Sequence, residues 1–300
     1  MRMKLSIVTP SYNQGKYLER TILSVWNQEG NFDLEHILVD GGSTDDSIAI
    51  IEKYDQLYRQ GLCPTKCKSF NFIWLSEPDR GQSDALNKGF SLSSGEILGW
   101  LNSDDIYSSD HSLQVISEAF LEHDTDIILG NAYLIDDLDN MIHSFVITNT
   151  FNNDSFQEHL KDIMKIDIVM QPSCFFKRHL WTTLGISDYC YIMDWVLWIE
   201  AYLNHYKFYK INDYISSFRL QASAKTVFAA DNKGENINRC EEIISVFKKY
   251  NTWCLNRVYY IAYLYLLKSS KNPRLGQFID SFIFIAKKAR NIVALRYRLY

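Results

Sequence analysis

The order of apolar runs in this 300-residue chain predicts an α/β protein, a mostly parallel sheet flanked by helices, with a mainly helical C-terminal extension. Three observations carry that prediction. Short apolar runs alternate with stretches of helical periodicity as far as Leu129, the pattern of βαβ units. The first, second and fourth of these runs end on clusters of polar turn-formers. After Thr226 the pattern becomes almost wholly helical, which divides the chain into residues 1–226 and 227–300.

Lys4 to Thr9 reads as a buried strand stopped by Pro10. Leu18, Ile22, Val25 and Trp26 then recur at i, i+4, i+7 and i+8, the apolar face of a helix. A second strand, His36 to Val39, ends on Asp40-Gly41-Gly42, and Ser43 is placed to cap a helix from Thr44 toward Tyr58 with Asp45 and Asp46 in its first turn. A strand from Phe70 to Leu75, a helix from Gln82 to Ser93 and a strand from Glu96 to Leu101 follow. Leu113, Ile116, Ala119 and Phe120 mark a further helix, and Asp126 to Leu129 a further strand. Beyond Ala132 shorter strands give way to helices.

Composition excludes several classes. With 47% hydrophobic and 22% charged residues the chain can bury a sizeable core, and a net charge of −5 argues against a general nucleic-acid binder. The balance is uneven along the chain. From Val246 to Tyr300 there are eleven Lys and Arg against one acid, Asp280, a charge of +10 that leaves −15 for the rest. The six cysteines and seven histidines show no zinc spacing, and Met1 to Asn13 does not read as a secretory signal. A reduced, cytoplasmic setting is the simplest expectation. The longest apolar run, Val258 to Leu267, is ten residues, too short to cross a bilayer.

Ligands of open α/β sheets sit beyond the carboxyl ends of the strands. Three segments there are rich in polar groups: Thr9 to Asn13, Asp40 to Ser43, and Asn102 to Asp105. Asp104 and Asp105 follow the apolar run Ile97 to Leu101, so they can offer oxygen ligands to Mg²⁺ or Mn²⁺, which commonly take one or two carboxylates beside phosphate and water. Asp105 or Ser108 would also suit as the cap of the helix that holds Leu113. Asp194, among the aromatics of Tyr191 to Trp198, reads either as a helix cap, as a paired buried acid or as a general base.

The ordered segments TPSYNQGKYLERTILSVWNQ, VDGGSTDDS, SEPDRGQSDALNKGF, GEILGWLNSDDIY and MDWVLW decide among these. Together, over residues 4 to 226, they resemble the family 2 glycosyltransferases, enzymes with a Rossmann-like fold called GT-A, and within them a bacterial branch carrying DRGQSDALNKG and WLNSDD. The resemblance implies that Thr9, Pro10, Ser11 and Tyr12 cradle a nucleotide, that Asp40 binds its uracil or ribose region, and that Asp104 holds a divalent metal bridging the donor diphosphate. Asn102 stands where most of the family has the first Asp of an acidic pair; it and Ser103 fall on the donor side. Asp194 matches the catalytic base.

Arg80, Asp84 and Asn87 are further donor-side candidates, as are Arg219 and Lys225 for the diphosphate, and Gln171 and Trp195 fall near the acceptor side. Gln221 stands where the family usually has a His that helps hold the metal; its carbonyl is a weaker ligand for a transition metal.

The activity implied is inverting, metal-dependent (Mn²⁺ or Mg²⁺) transfer of a hexosyl or N-acetylhexosaminyl group. A nucleotide sugar, UDP-linked in most of the family, would be the donor, and a hydroxyl of a surface glycan or a polyprenyl-linked glycan the acceptor. Two competing readings are a sugar nucleotidyltransferase, whose glycine-rich first loop is lacking here, and an inactive nucleotide-sugar or glycan-binding scaffold, against which Asp40, Asp104 and Asp194 argue. The basic, aromatic segment 246–300 suits docking on the inner face of the cytoplasmic membrane; the alternative is packing on the catalytic domain or in a homodimer.

Overall fold

A computed structural model describes residues 2–147, 160–165, 167–221, 233–251, 257, 260, 261 and 264. The boundary at residue 226, Lys225 and most of segment 246–300 lie outside the described residues. Strands β1 (Lys4–Ser11), β2 (Asp33–Asp40), β3 (Ser69–Ser76) and β4 (Ile97–Trp100) alternate with helices α1 (Gly15–Trp26), α2 (Ser47–Arg59) and α3 (Gln82–Leu92). After them come β5 (Ile106–Tyr107), α4 (Ser112–Glu122), β6 (Ile127–Ile135), β7 (Met141–Phe145), β8 (Cys174–Lys177), α5 (Arg178–Leu184), α6 (Met193–Leu203), β9 (Phe208–Arg219) and α7 (Lys233–Lys249).

One sheet runs β3-β2-β1-β4-β8-β6-β9-β5, with β7 paired to β6. Its first four strands are parallel, as the alternation of elements predicts. The second half is mixed: β8 runs antiparallel between β4 and β6, and β9 is parallel to β6.

Side chains alternate across this sheet, so the core divides in two. Leu5 and Ile7, Leu34 and Leu38, and Ile97 pack beneath α1, α2 and α4. Val8, Ile37, Val39, Leu98 and Trp100 face α3, α5, α6 and α7. Trp26 anchors the first face, with Tyr54, Phe70 and Phe72 edge-on at 5.1, 5.3 and 5.1 Å. On the second, Gly89 lets α3 close on β1, where a Cβ would stand 2.4 Å from Val8 Cγ1.

Pro10 does not stop β1, which continues to Ser11 in register with Asp40. Val8 O accepts from Leu101 N on the β4 side and Ser11 O from Gly41 N on the β2 side. Alternation therefore turns the Pro10 nitrogen toward β4, beyond Val8, the last residue that β4 pairs. The missing N–H costs no ladder bond. Nor does Ser43 cap a helix from Thr44: α2 begins at Ser47, with neither Asp45 nor Asp46 in its first turn.

Residues 233–250 are continuous with this core rather than set apart from it. Ile243, Val246 and Phe247 are buried in the second cluster, Phe247 lies edge-on to Trp195 at 5.6 Å, and the Glu242 carboxylate accepts from Cys190 N and Tyr191 N. No helix among the described residues is long and apolar enough to cross a membrane.

Candidate functional site

The loops after β1 and β2 are knitted into one ledge. Ser43 Oγ accepts from Asn13 N, Asp45 Oδ2 from Gly15 N, and Ser47 Oγ from Gln14 N, so α1 is capped by side chains about thirty residues ahead. Asn13, at φ 52°, returns an acceptor to Thr44 N. Asp40 organises the other side. Fully buried, its carboxylate accepts from Gly42 N, Ser43 N, Ser76 Oγ and Ser43 Oγ at 3.0, 2.9, 2.8 and 2.5 Å. Three of these donors converge on Oδ2 and one on Oδ1. Thr9 faces inward, 3.0 Å from His36 Nε2, whereas Tyr12 is 60% exposed on the ledge and the buried Ser11 Oγ has no partner among the described residues.

Beyond β4 the chain turns so that Asp104 and Asp105 separate in role. Asp105 is wholly buried; it accepts from Arg219 N at 2.9 Å and from Asn102 Nδ2 at 3.2 Å, and its carbonyl accepts from Thr21 Oγ1. It orients the turn and caps no helix. Asp104 is half-buried and receives one side-chain hydrogen bond, from Gln221 Nε2 to Oδ2 at 2.5 Å. No side chain among the described residues is bonded to its Oδ1, and the carboxylate also meets its own backbone N–H. Burial pushes both carboxyls above the usual carboxylate range, Asp105 further because Asp104 adds its own charge.

Asp194 lies in the first turn of α6, and its Oδ1 accepts from Trp195 N at 2.8 Å. Burial raises its pKa, opposed by backbone N–H donors and the charge of Arg239 on α7. The Trp195 indole donates to Ile163 O at 2.6 Å, which ties α6 to the short 3₁₀ turn at Leu160–Met164. Past that turn is Asp167, an exposed acid with no distinctive motif around it in the sequence, whose Oδ1 accepts from Val169 N at 3.1 Å. β8 lies antiparallel beside β4, so Cys174 at its head stands at the carboxyl edge of β4, the edge that carries Asp104.

Several sequence-predicted contacts turn toward protein instead. Asn102 Oδ1 accepts from Gln82 Nε2 and Trp100 Nε1, while its Nδ2 donates to Asp105 and Gln171, so the amide is saturated as a hub rather than offered to a donor. Asn87 is likewise consumed, donating to Ile186 O and accepting from Ile186 N and Trp181 Nε1. Gln171 donates to Trp100 O. Trp195 is buried, its indole N–H spent on Ile163, so neither residue offers a polar side-chain group to an acceptor.

Arg219 is fully buried and spans Asp104 O, Asp136 O and the Asp139 carboxylate, stacked 4.8 Å over the Tyr17 ring; it is a strut rather than a diphosphate contact. Arg80 stays on the surface, paired at 2.9 Å with Asp84, and that pairing lowers the Asp84 pKa to about 2. Ser103 is buried in the turn between Asn102 and Asp104.

A parallel half-sheet with a capped ledge at its carboxyl end and a half-satisfied carboxylate beside it is the frame into which the comparisons fit. Residues 6–181 match the model of Glycosyl transferase family 2. The chain belongs to that family. An uncharacterized glycosyltransferase of Nostoc sp. is 38% identical over 141 residues, 45% of this chain and 40% of that protein. The poly(ribitol-phosphate) beta-N-acetylglucosaminyltransferase of Staphylococcus aureus is 31% identical over 130 residues, 42% of this chain and 36% of its own length. The chain thus spans about two fifths of these relatives. Among solved structures, glucosyl-3-phosphoglycerate synthase from Mycobacterium tuberculosis with Mn²⁺, UDP and glucosyl-3-phosphoglycerate has a TM-score of 0.55 at 16% identity, covering 84% of this chain and 82% of that one. The fold is the GT-A fold.

Within this family 2 chain the residues present fit a hard divalent cation. No group of three or more His, Cys, Asp or Glu able to hold a metal occurs among the described residues. The fit rests instead on the half-buried Asp104 carboxylate, which among the described residues receives one side-chain donor, the Gln221 Nε2. One carboxylate suffices where phosphate and water complete the shell, the habit of Mg²⁺ and Mn²⁺. Two cavities, about 510 and 460 Å³, contain none of these residues. They lie at the other end of the sheet, around Lys177 to His179 and around Tyr206 to Tyr209.

Proposed function

We propose that this chain is an inverting, metal-dependent glycosyltransferase. It moves a hexosyl or N-acetylhexosaminyl group from a nucleotide sugar, UDP-linked foremost, to a hydroxyl of a surface or lipid-linked glycan. The observation that carries this reading is Asp104: a half-buried carboxylate with one side-chain donor among the described residues, beside the ledge of the β1 and β2 loops. Support for UDP and Mn²⁺ comes from the M. tuberculosis synthase, and for a polymeric, hydroxyl-bearing acceptor from the poly(ribitol-phosphate) transferase of S. aureus.

The roles follow from the geometry. Tyr12 offers an exposed ring for the base, and the buried Ser11 hydroxyl is a polar atom that a seated nucleotide would satisfy. Asp40 acts by fixing the backbone of Gly42 and Ser43 rather than by touching the nucleotide. Asp104, with Gln221 beside it, would hold Mg²⁺ or Mn²⁺, which when bound would supply positive charge against the negative charge of a departing diphosphate. Asp194 takes the proton of the acceptor hydroxyl as its oxygen bonds to the anomeric carbon and the bond to the diphosphate breaks. Its raised pKa brings it nearer the range useful to a base. Residues 1–226 with the packed helix α7 form the transferase unit, and the basic remainder of 246–300 docks on an anionic membrane face.

The test uses purified protein, Mn²⁺ or Mg²⁺ and a panel of nucleotide sugars. Slow release of nucleoside diphosphate is expected. Asp194→Asn should keep donor binding and lose about 10²- to 10⁴-fold in transfer. Pyrophosphate release from a nucleoside triphosphate and sugar phosphate would overturn the assignment.

A further inference from the structure

The turn joining β6 to β7 is tied to both sides of the proposed site. Asp136 builds it, its carboxylate accepting from Leu138 N, Asn140 N and Asn140 Nδ2 at 2.8, 2.9 and 3.0 Å, with Asp139 in the left-handed region at φ 67°. Two ion pairs fasten this turn to α1, the helix that leaves the nucleotide ledge: Lys16 to Asp137 and Arg20 to Asp139, both 2.7 Å. On its other side, Asp139 pairs with Arg219. Arg219 donates from Nη1 to Asp136 O at 2.5 Å, from Nε to Asp104 O at 2.8 Å, and from its backbone N to Asp105 at 2.9 Å. Two residues further on, Gln221 reaches Asp104 Oδ2. Thus the side chains that hold Asp104, at its carbonyl and at its carboxylate, both come from the end of β9, and the Asp136–Asn140 turn pins that end.

We propose that Asp139, acting through the buried guanidinium of Arg219, is a positioning residue that sets the Asp104 carboxylate for its cation. The proposal rests on the reading of Asp104 as the metal-holding residue. Asp139 touches neither metal nor donor; it fixes the strut that does the placing. Groups that orient a metal ligand from outside the coordination shell typically change metal affinity by about 10- to 100-fold when lost.

The experiment is Mn²⁺ binding to the full chain with UDP saturating, read by the electron paramagnetic resonance of unbound Mn²⁺, alongside thermal unfolding. Asp139→Asn keeps the shape of a half-exposed side chain and removes its charge. It should weaken Mn²⁺ binding by about tenfold or more. Lys16→Ala removes an exposed ion pair of the same turn without touching Arg219, and should leave Mn²⁺ binding within about twofold, with a smaller shift of the unfolding midpoint than Asp139→Asn, which also gives up the pairs to Arg20 and to the buried Arg219. Arg219→Lys keeps the charge but cannot span Asp104 O and Asp139 together, and is expected to follow Asp139→Asn. If Asp104→Asn abolishes Mn²⁺ binding while Asp139→Asn and Arg219→Lys leave it unchanged, the positioning role is wrong and the metal assignment stands. Unchanged binding in Asp104→Asn would remove both.

Discussion

The loops that follow β2 and β4 each place an aspartate at the carboxyl edge of the same sheet, and they use it in opposite ways. Asp40 is surrounded by four donors from its own loop and from Ser76, so its charge is spent on local structure. Asp104 is also enclosed, yet among the described residues it receives one side-chain amide. A buried carboxylate is tolerated only when hydrogen-bonded, neutralised or matched by a cation. The first loop meets that condition within the chain. In the proposed reading, the second would leave it to a divalent cation.

Substitutions can break this contrast. Asp104→Ala should lower metal-dependent donor turnover by about 10²- to 10³-fold, with little change in unfolding midpoint; isothermal titration of Mn²⁺ with UDP present checks the binding side. Asp40→Ala should do the reverse, costing roughly 2–3 kcal/mol of stability because two backbone N–H groups and two hydroxyls lose their acceptor, a loss that urea denaturation measures. Turnover in that variant should fall only as far as the ledge loosens.

The β2 region carries a third test, in pH. His36 is sealed between Trp26 and Thr9; Trp26 Nε1 can only donate, so His36 Nδ1 accepts at 3.2 Å and Nε2 holds the proton toward Thr9. Burial lowers its pKa to about 3. The unfolded chain, near the ordinary 6.5, binds a proton that the fold refuses, so this stabilisation is complete above pH 6.5 and is lost as pH falls toward 3. Between pH 6.5 and 5 the loss should be about 2 kcal/mol, seen as a falling urea midpoint that a His36→Gln variant does not share. The smallest effect belongs to the β4 side. Gln221→His should tighten Mn²⁺ more than Mg²⁺, by several-fold, because imidazole is the better partner for a transition metal. Equal responses of the two ions would place residue 221 outside the metal's reach.

The strands, the helical faces and the Asp104 turn were legible because periodicity and strand-end position are local properties. What a polar side chain meets is not local. Asn102, Asn87 and Arg219 sit in segments that match donor-side motifs, and each is consumed by partners from distant parts of the chain: Gln171 for the first, Trp181 and Ile186 for the second, Asp104 for the third. The start of α2 lies at Ser47 rather than at Thr44 for the same reason. Ser43, Asp45 and Ser47 have the composition of a helix start, but they serve amides of residues 13 to 15, which spacing alone does not reveal. Asp139 carries no sequence signal beyond a turn rich in Asp.

That capping in trans bears on how the chain acquires its structure. The first amides of α1 find their acceptors only once β2 has paired with β1 and the following loop has closed, so this end of α1 cannot form as an isolated helix. Its start, the β1–β2 pair and the head of α2 should behave as one cooperative unit in hydrogen exchange. The amides of Gln14 and Gly15 would then exchange at the rate of that unit's opening, reporting from one loop on the integrity of another.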